Sequence, residues 1–187
     1  LSDDVAALDR TLARIDAPVV LAGHAYAGGV IGSTRAPNVQ ALVYIAALAP
    51  DEGETVGDVF HRGAPHAQAP QIAPDEHGRI WLPEGAFAAA FAQNARAEEL
   101  VVLAAVQRPI AVPCITEPVS RPLWKDRPSW FLIAEEDRMI APATQHFMAR
   151  RMNAHIRSHD VDHTPSVTAA SIVTEVIAEA VASVSSH

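Results

Sequence analysis

The chain has 187 residues, 49% of them hydrophobic and 19% charged, which suits one domain with a substantial core. A net charge of −8 with no Lys/Arg cluster argues against a nucleic-acid partner. Its apolar runs fall far short of the roughly 18 residues of a membrane helix, so neither a membrane span nor a signal peptide is expected.

Residues 2–14 open with Ser2 as a cap and Asp3 and Asp4 in the first turn, where acidic side chains suit the helix dipole. Val5, Leu8 and Leu12 then recur at helical spacing. Asp16-Ala17-Pro18 breaks this helix. The run VVLA from Val19 reads as a strand buried on both faces, ended by Gly23 and followed by a helix over about 26–35. Val39–Ala47 is a second buried strand, and the short turn before it makes a parallel strand–helix–strand unit.

Residues 51–127 differ: prolines and histidines are frequent and strand patterns disappear. Helices are expected over Glu84–Asn94, with Phe87 and Phe91 on one face, and over Ala97–Gln107, with Leu100, Leu103 and Val106 at helical spacing. Phe60, Trp81, Phe87, Phe91 and Trp124 are candidates to line a pocket or simply to fill this segment's core. Cys114 is the single cysteine, so no internal disulfide forms; a buried, inert thiol in a reducing cytoplasm is the expectation. Core patterns resume with strand Ser129–Ala134, a helix from Pro142 to Arg151, strand Ala154–Val161 and a closing helix Ser166–Val184 capped by Ser166. His155, His159 and His163 are spaced by four, but on a strand that spacing makes no metal stripe, and no metal or cofactor is expected.

The stretch VVLAGHAYAGGVI, Val19–Ile31, resembles the nucleophile elbow of the α/β-hydrolase superfamily, in particular small bacterial members with a G-H-S-Y-G-G turn. The end of the second strand, AALAPDEGE, resembles the plant esterase and hydroxynitrile lyase branch. The resemblance implies an α/β fold: a mostly parallel sheet with flanking helices, a core of residues 1–50 and 128–187, and a mostly helical cap of residues 51–127. It also implies a triad in the chain order elbow, acid, histidine. Ala25 stands where the family has its serine, and Ala27 where it has a second glycine. Engineered silencing would account for Ala25 alone; natural divergence accounts for both. Asp137, in AEEDRMIAP, matches the family's orienting acid, His163, in DVDHTP, its general base, and the Tyr26 N–H its oxyanion donor. Asp51 is a rival acid that reads otherwise as an Asx turn. His24 is expected to pack beneath the turn.

The family sheet has further strands before the elbow strand, and one oxyanion N–H comes from a loop among them. Without them the elbow strand lies at a sheet edge, so either an upstream segment or a partner copy in a homo-oligomer is expected to cover it. The function implied is action on a small, fairly apolar ester-, lactone- or amide-like molecule, with Ala25 closing the acyl-enzyme route. The alternative is a catalytically silent ligand-binding or scaffold protein on the same fold.

Overall fold

Residues 1–185 are described in a computed structural model. In chain order the elements are α1 Ser2–Leu12, β1 Val19–His24, α2 Ala27–Ser33, β2 Val39–Ile45, α3 Val56–Phe60, β3 Arg79–Ile80, α4 Glu84–Ala86, a π-helix Phe87–Phe91, α5 Ala97–Val106, β4 Ile110–Ala111, α6 Val112–Thr116, a 3-10 turn Leu123–Lys125, β5 Ser129–Ala134, α7 Pro142–Arg151, β6 His155–His159, α8 Pro165–Thr168 and α9 Ala170–Ser185.

Four strands form one parallel sheet in the order β1-β2-β5-β6. Every crossover carries helix, so both faces of the sheet are covered and its middle strands are mostly apolar, with Gln40 and Ser129 the polar residues near their starts. On one face Leu42, Tyr44, Phe131 and Ile133 pack with Ile31 of α2 and Met148 of α7. On the other, Ala41, Val43, Trp130 and Leu132 pack against Val173, Val176 and Ala180 of α9. The edges differ: β6 is polar and largely exposed, whereas β1 is apolar, half-buried and paired only with β2 among the described residues.

Several local expectations are corrected. Leu1, not Ser2, caps α1; the amino group of Leu1 and the Ser2 N–H are both held by Glu117. Residues 51–127 are not free of strands, because β3 and β4 pair as an antiparallel ribbon, Ile80 with Ile110. Two-residue strands are too short to leave an alternating pattern. The helix expected over Glu84–Asn94 is a short α-turn that widens into a π-helix. α5 turns Val101, Val102 and Val106 outward, the last 65% exposed. With LVVLAA apolar on every side, that helix cannot bury all its faces at once. Cys114 is half-buried rather than buried, since its one-turn helix points Sγ at the Asp4 carboxylate 3.6 Å away. The closing helix is broken at Ala169, and Thr164 with Pro165, not Ser166, starts its first piece.

Residues 84–95 are tied to the sheet's carboxyl end by polar bonds. The buried Asp162 accepts from Asn94 N, and Thr164 Oγ1 donates to the Phe91 carbonyl. Gln93 and Asn94 both donate to Glu136, and Arg138 donates to the Ala89 carbonyl.

Candidate active site

The elbow is a backbone device. β1 ends at His24 and α2 begins at Ala27, so the chain reverses within Ala25 and Tyr26. Ala25 adopts φ +50°, a left-handed conformation that costs a residue with a Cβ about 1–3 kcal/mol. Backbone bonds hold it there: its N–H donates to the Ile45 carbonyl at 3.4 Å, and its carbonyl accepts from Gly28 at 3.2 Å and from Leu48 at 2.9 Å. The glycines the turn requires are Gly23 and Gly28. A methyl on Gly28 would stand 2.3 Å from the Leu48 carbonyl oxygen, and one on Gly23 would stand 2.9 Å from the Ala27 oxygen. Ala27 is half-buried, and its methyl is accommodated.

Tyr26 is the N-cap residue of α2, and its N–H has no protein acceptor among the described residues. Its hydroxyl donates to Asp4 Oδ2 at 2.6 Å, tying the elbow to α1. Burial, then that hydrogen bond, keeps the phenol protonated far above its usual range.

Asp137 and His163 come together. Asp137 Oδ2 is 2.8 Å from His163 Nδ1, and the two residues are 1% and 3% exposed. Strand register produces the meeting: Ala134 of β5 pairs with His159 of β6, and both chains continue past that pair toward the same edge. A carboxylate can only accept, so Nδ1 carries the proton and Nε2 is the basic nitrogen of the neutral ring. The carboxylate is fully occupied. Oδ1 accepts from Met139 N at 2.7 Å and Ile140 N at 2.8 Å, and Oδ2 also accepts from Gln145 Nε2 at 2.8 Å. These bonds replace the water that burial removes.

His24, at the end of β1, packs its ring 4.7 Å from that of His163 and donates Nε2–H to the His163 carbonyl at 2.6 Å. Burial, with the neighbouring His163 second, lowers its pKa to about 4. At neutral pH it is therefore an uncharged brace across the top of the sheet. Phe91, carried by the π-helix, stands edge-on to His163 at 5.2 Å and to Phe87 at 5.4 Å.

The other candidates lie elsewhere. Asp51 pairs with Lys125 and accepts from the N–H of the next residue, Glu52, whereas the Gly53 N–H that an Asx turn would use goes to the Val119 carbonyl. Glu135, beside the acid, takes the Ser158 hydroxyl and His146. Of the pocket candidates, Trp124 and Phe60 belong to the core beneath α2, and Trp81 is an exposed partner of Asp75. His155 stacks on Trp130, and no three His, Cys, Asp or Glu side chains among the described residues come together as a metal requires. Gln145 and Asp162 were not legible as site neighbours. The only signal was a glutamine on the buried face of α7 and an aspartate immediately before His163.

Residues 1–173 match the sequence profile of the alpha/beta hydrolase family. No curated protein matches the chain. Among solved structures, it is similar to a pyrethroid hydrolase from Sphingobium faniae JZ-2, with TM-score 0.79 and 19% identity, covering 94% of this chain and 75% of that one. It is also similar to polyneuridine aldehyde esterase, with TM-score 0.76 and 18% identity, covering 91% and 75%. A third is an extracellular alpha/beta-hydrolase from a Paenibacillus species, with TM-score 0.74 and 20% identity, covering 94% and 77%. At such identities these likenesses speak for the fold. Profile and fold agree: the chain belongs to the α/β-hydrolase family.

Proposed function

We propose that this protein acts on a small, fairly apolar ester-, lactone- or amide-like molecule held between the elbow and a cap formed by residues 51–127. His163, oriented by Asp137, is its general base. The observation that carries this reading is the sealed 2.8 Å contact between Asp137 and His163 beside the elbow. Esterases and hydrolases among the similar structures support the reaction class. Ala25 offers no nucleophile, so attack falls to water. His163 Nε2 takes a proton from water as its oxygen bonds to the carbonyl carbon, the Tyr26 N–H stabilises the oxyanion, and the imidazolium returns the proton to the leaving group. Phe91 and Phe87 give the apolar wall. The lone free thiol of Cys114 accords with a cytoplasmic setting.

The test is hydrolysis of p-nitrophenyl acetate and of a small lactone by the unmodified chain, Ala25→Ser, and Ala25→Ser with Ala27→Gly, each with and without His163→Ala. Slow turnover by the unmodified chain that is lost with His163→Ala supports the reading, and a large gain in the serine variants supports a hydrolase site otherwise intact. A second reading, a binding protein on the same fold, is favoured by Ala25 itself. It takes precedence if no variant turns over either substrate while calorimetry detects binding of the uncleaved molecule.

A further inference from the structure

Gln145 belongs to no motif singled out by the sequence, yet it touches three points of the acid turn. It lies on α7 and is 0% exposed. Its Oε1 accepts from Ala134 N at 3.1 Å, and its Nε2 donates to Asp137 Oδ2 at 2.8 Å and to the Ile140 carbonyl at 2.9 Å. The chemistry fixes the amide's orientation, since the Ala134 N–H only donates and the other two groups only accept. β2 has no residue opposite Ala134, as its pairing with β5 ends at Ile45 and Leu132, so the side chain supplies the acceptor that the strand does not. Oδ2 of Asp137 is thus shared between two donors, the Gln145 amide and the His163 ring.

We propose that Gln145 is a positioning residue for the base: it fixes the rotation of the Asp137 carboxylate and draws off part of the Oδ2 charge that would otherwise stabilise the His163 imidazolium. The inference deepens the general-base reading and rests on it. A donor to a carboxylate disperses its charge, so removing that donor strengthens the pull of Asp137 on a charged imidazole. The ring then holds its proton to higher pH. Gln145→Glu restores a donor instead, because two buried carboxyl groups in contact share one proton and the O–H of that pair still bonds Oδ2. The other groups around His163 do not duplicate this role. His24, from the end of β1, donates to the His163 carbonyl. Asp162 is spent on Asn94 N, Thr164 N and the Thr168 hydroxyl.

The experiment follows the His163 ring by NMR titration in the unmodified chain, Gln145→Met and Gln145→Glu, with Asp137→Asn to assign the coupling. Gln145→Met keeps the side-chain volume; Gln145→Glu keeps an acceptor for Ala134 N. The His163 midpoint is expected to rise in Gln145→Met, by up to about one pH unit, and to stay near that of the unmodified chain in Gln145→Glu. Where turnover is measurable, the acid limb of its pH profile moves up by the same amount, with KM unchanged. The titration needs no turnover, so a shifted ring without hydrolysis upholds Gln145 and removes the hydrolytic reading. Hydrolysis with an unshifted ring does the reverse. An unchanged midpoint in folded Gln145→Met overturns the proposal, as does a rise in Gln145→Glu equal to that in Gln145→Met. So does loss of the fold in both, which would assign Gln145 to the fold alone.

Discussion

Asp137 and His163, 26 residues apart in the chain, meet because β5 and β6 are adjacent parallel strands whose register sets Ala134 against His159. Every parallel strand delivers its carboxyl end to the same side. Each chain needs only a short turn past the sheet for acid and base to converge. The Asp137 turn closes on itself through Met139 and Ile140, which donate to Oδ1 and leave Oδ2 for the ring and the Gln145 amide.

That saturation makes Asp137 structural as well as chemical. Asp137→Asn swaps an acceptor oxygen for an NH₂ group that must face donors: the Met139 and Ile140 amides, or Gln145 and His163. The expected loss is about 1–3 kcal/mol of stability by urea denaturation, because a buried donor is left without an acceptor. Any turnover should also fall by about 10²-fold or more. His163→Ala should lose turnover similarly, since it removes the base of the proposed reaction.

His24 gives a pH prediction with a definite sign. Its pKa falls from the ordinary 6.5 to about 4 in the folded chain. Between those values the unfolded chain binds a proton that the folded one refuses, so stability falls as pH drops below about 6.5 and levels off below about 4. The loss is on the order of 3 kcal/mol at most. Replacing the imidazole with a neutral amide in His24→Gln should flatten urea midpoints between pH 4 and 6.5. A midpoint profile identical to the unmodified chain would show that other groups set the acid sensitivity.

Much of this was legible in the sequence. Buried runs such as VQALVYI and SWFLIA can only be interior parallel strands once helices lie between them, and the small-residue turn after VVLA marks the elbow. Asp137 and His163 were legible as residues just beyond strand ends. The short ribbon Arg79–Ile80 with Ile110–Ala111 was not, because two residues carry no period. Nor was the outward face of α5, since Val101 and Leu103 look alike until the packing surface is known. Gln145 was hidden for a different reason. A buried glutamine becomes meaningful only through its partners, and Ala134, Asp137 and Ile140 are brought to it by the turn.

The elbow's space requirement falls on Gly28, not Ala27. A Gly28→Ala methyl would meet the Leu48 backbone oxygen at 2.3 Å and Ala47 at 3.0 Å, and a backbone oxygen cannot swing away as a side-chain tip can. The expected cost is about 1–3 kcal/mol or more, measured by thermal denaturation. Gly85→Ala, which meets nothing within 4 Å, serves as the control and should change stability by a few tenths of a kcal/mol. Equal effects at the two sites would refute the packing argument.

The left-handed alanines offer the sharpest comparison. Ala25 has φ +50° and Ala46 has φ +42°, and both lie just past a strand end on the same edge of the sheet. Glycine reaches this backbone region without the Cβ penalty. Its freedom in the unfolded chain offsets part of the gain. At Ala25 the methyl is only half-buried, so little packing is lost, and Ala25→Gly should raise stability by up to about 1 kcal/mol. At Ala46 the methyl is fully buried against Ala134 and Val161. Deleting it removes about 0.8 kcal/mol of burial and leaves a void besides, so Ala46→Gly should be neutral or destabilising. Urea denaturation of both single variants and the double variant checks the contrast. If Ala25→Gly is no more stable than the unmodified chain, the elbow holds no strain at this residue. The family-like turn would then be retained for its shape alone.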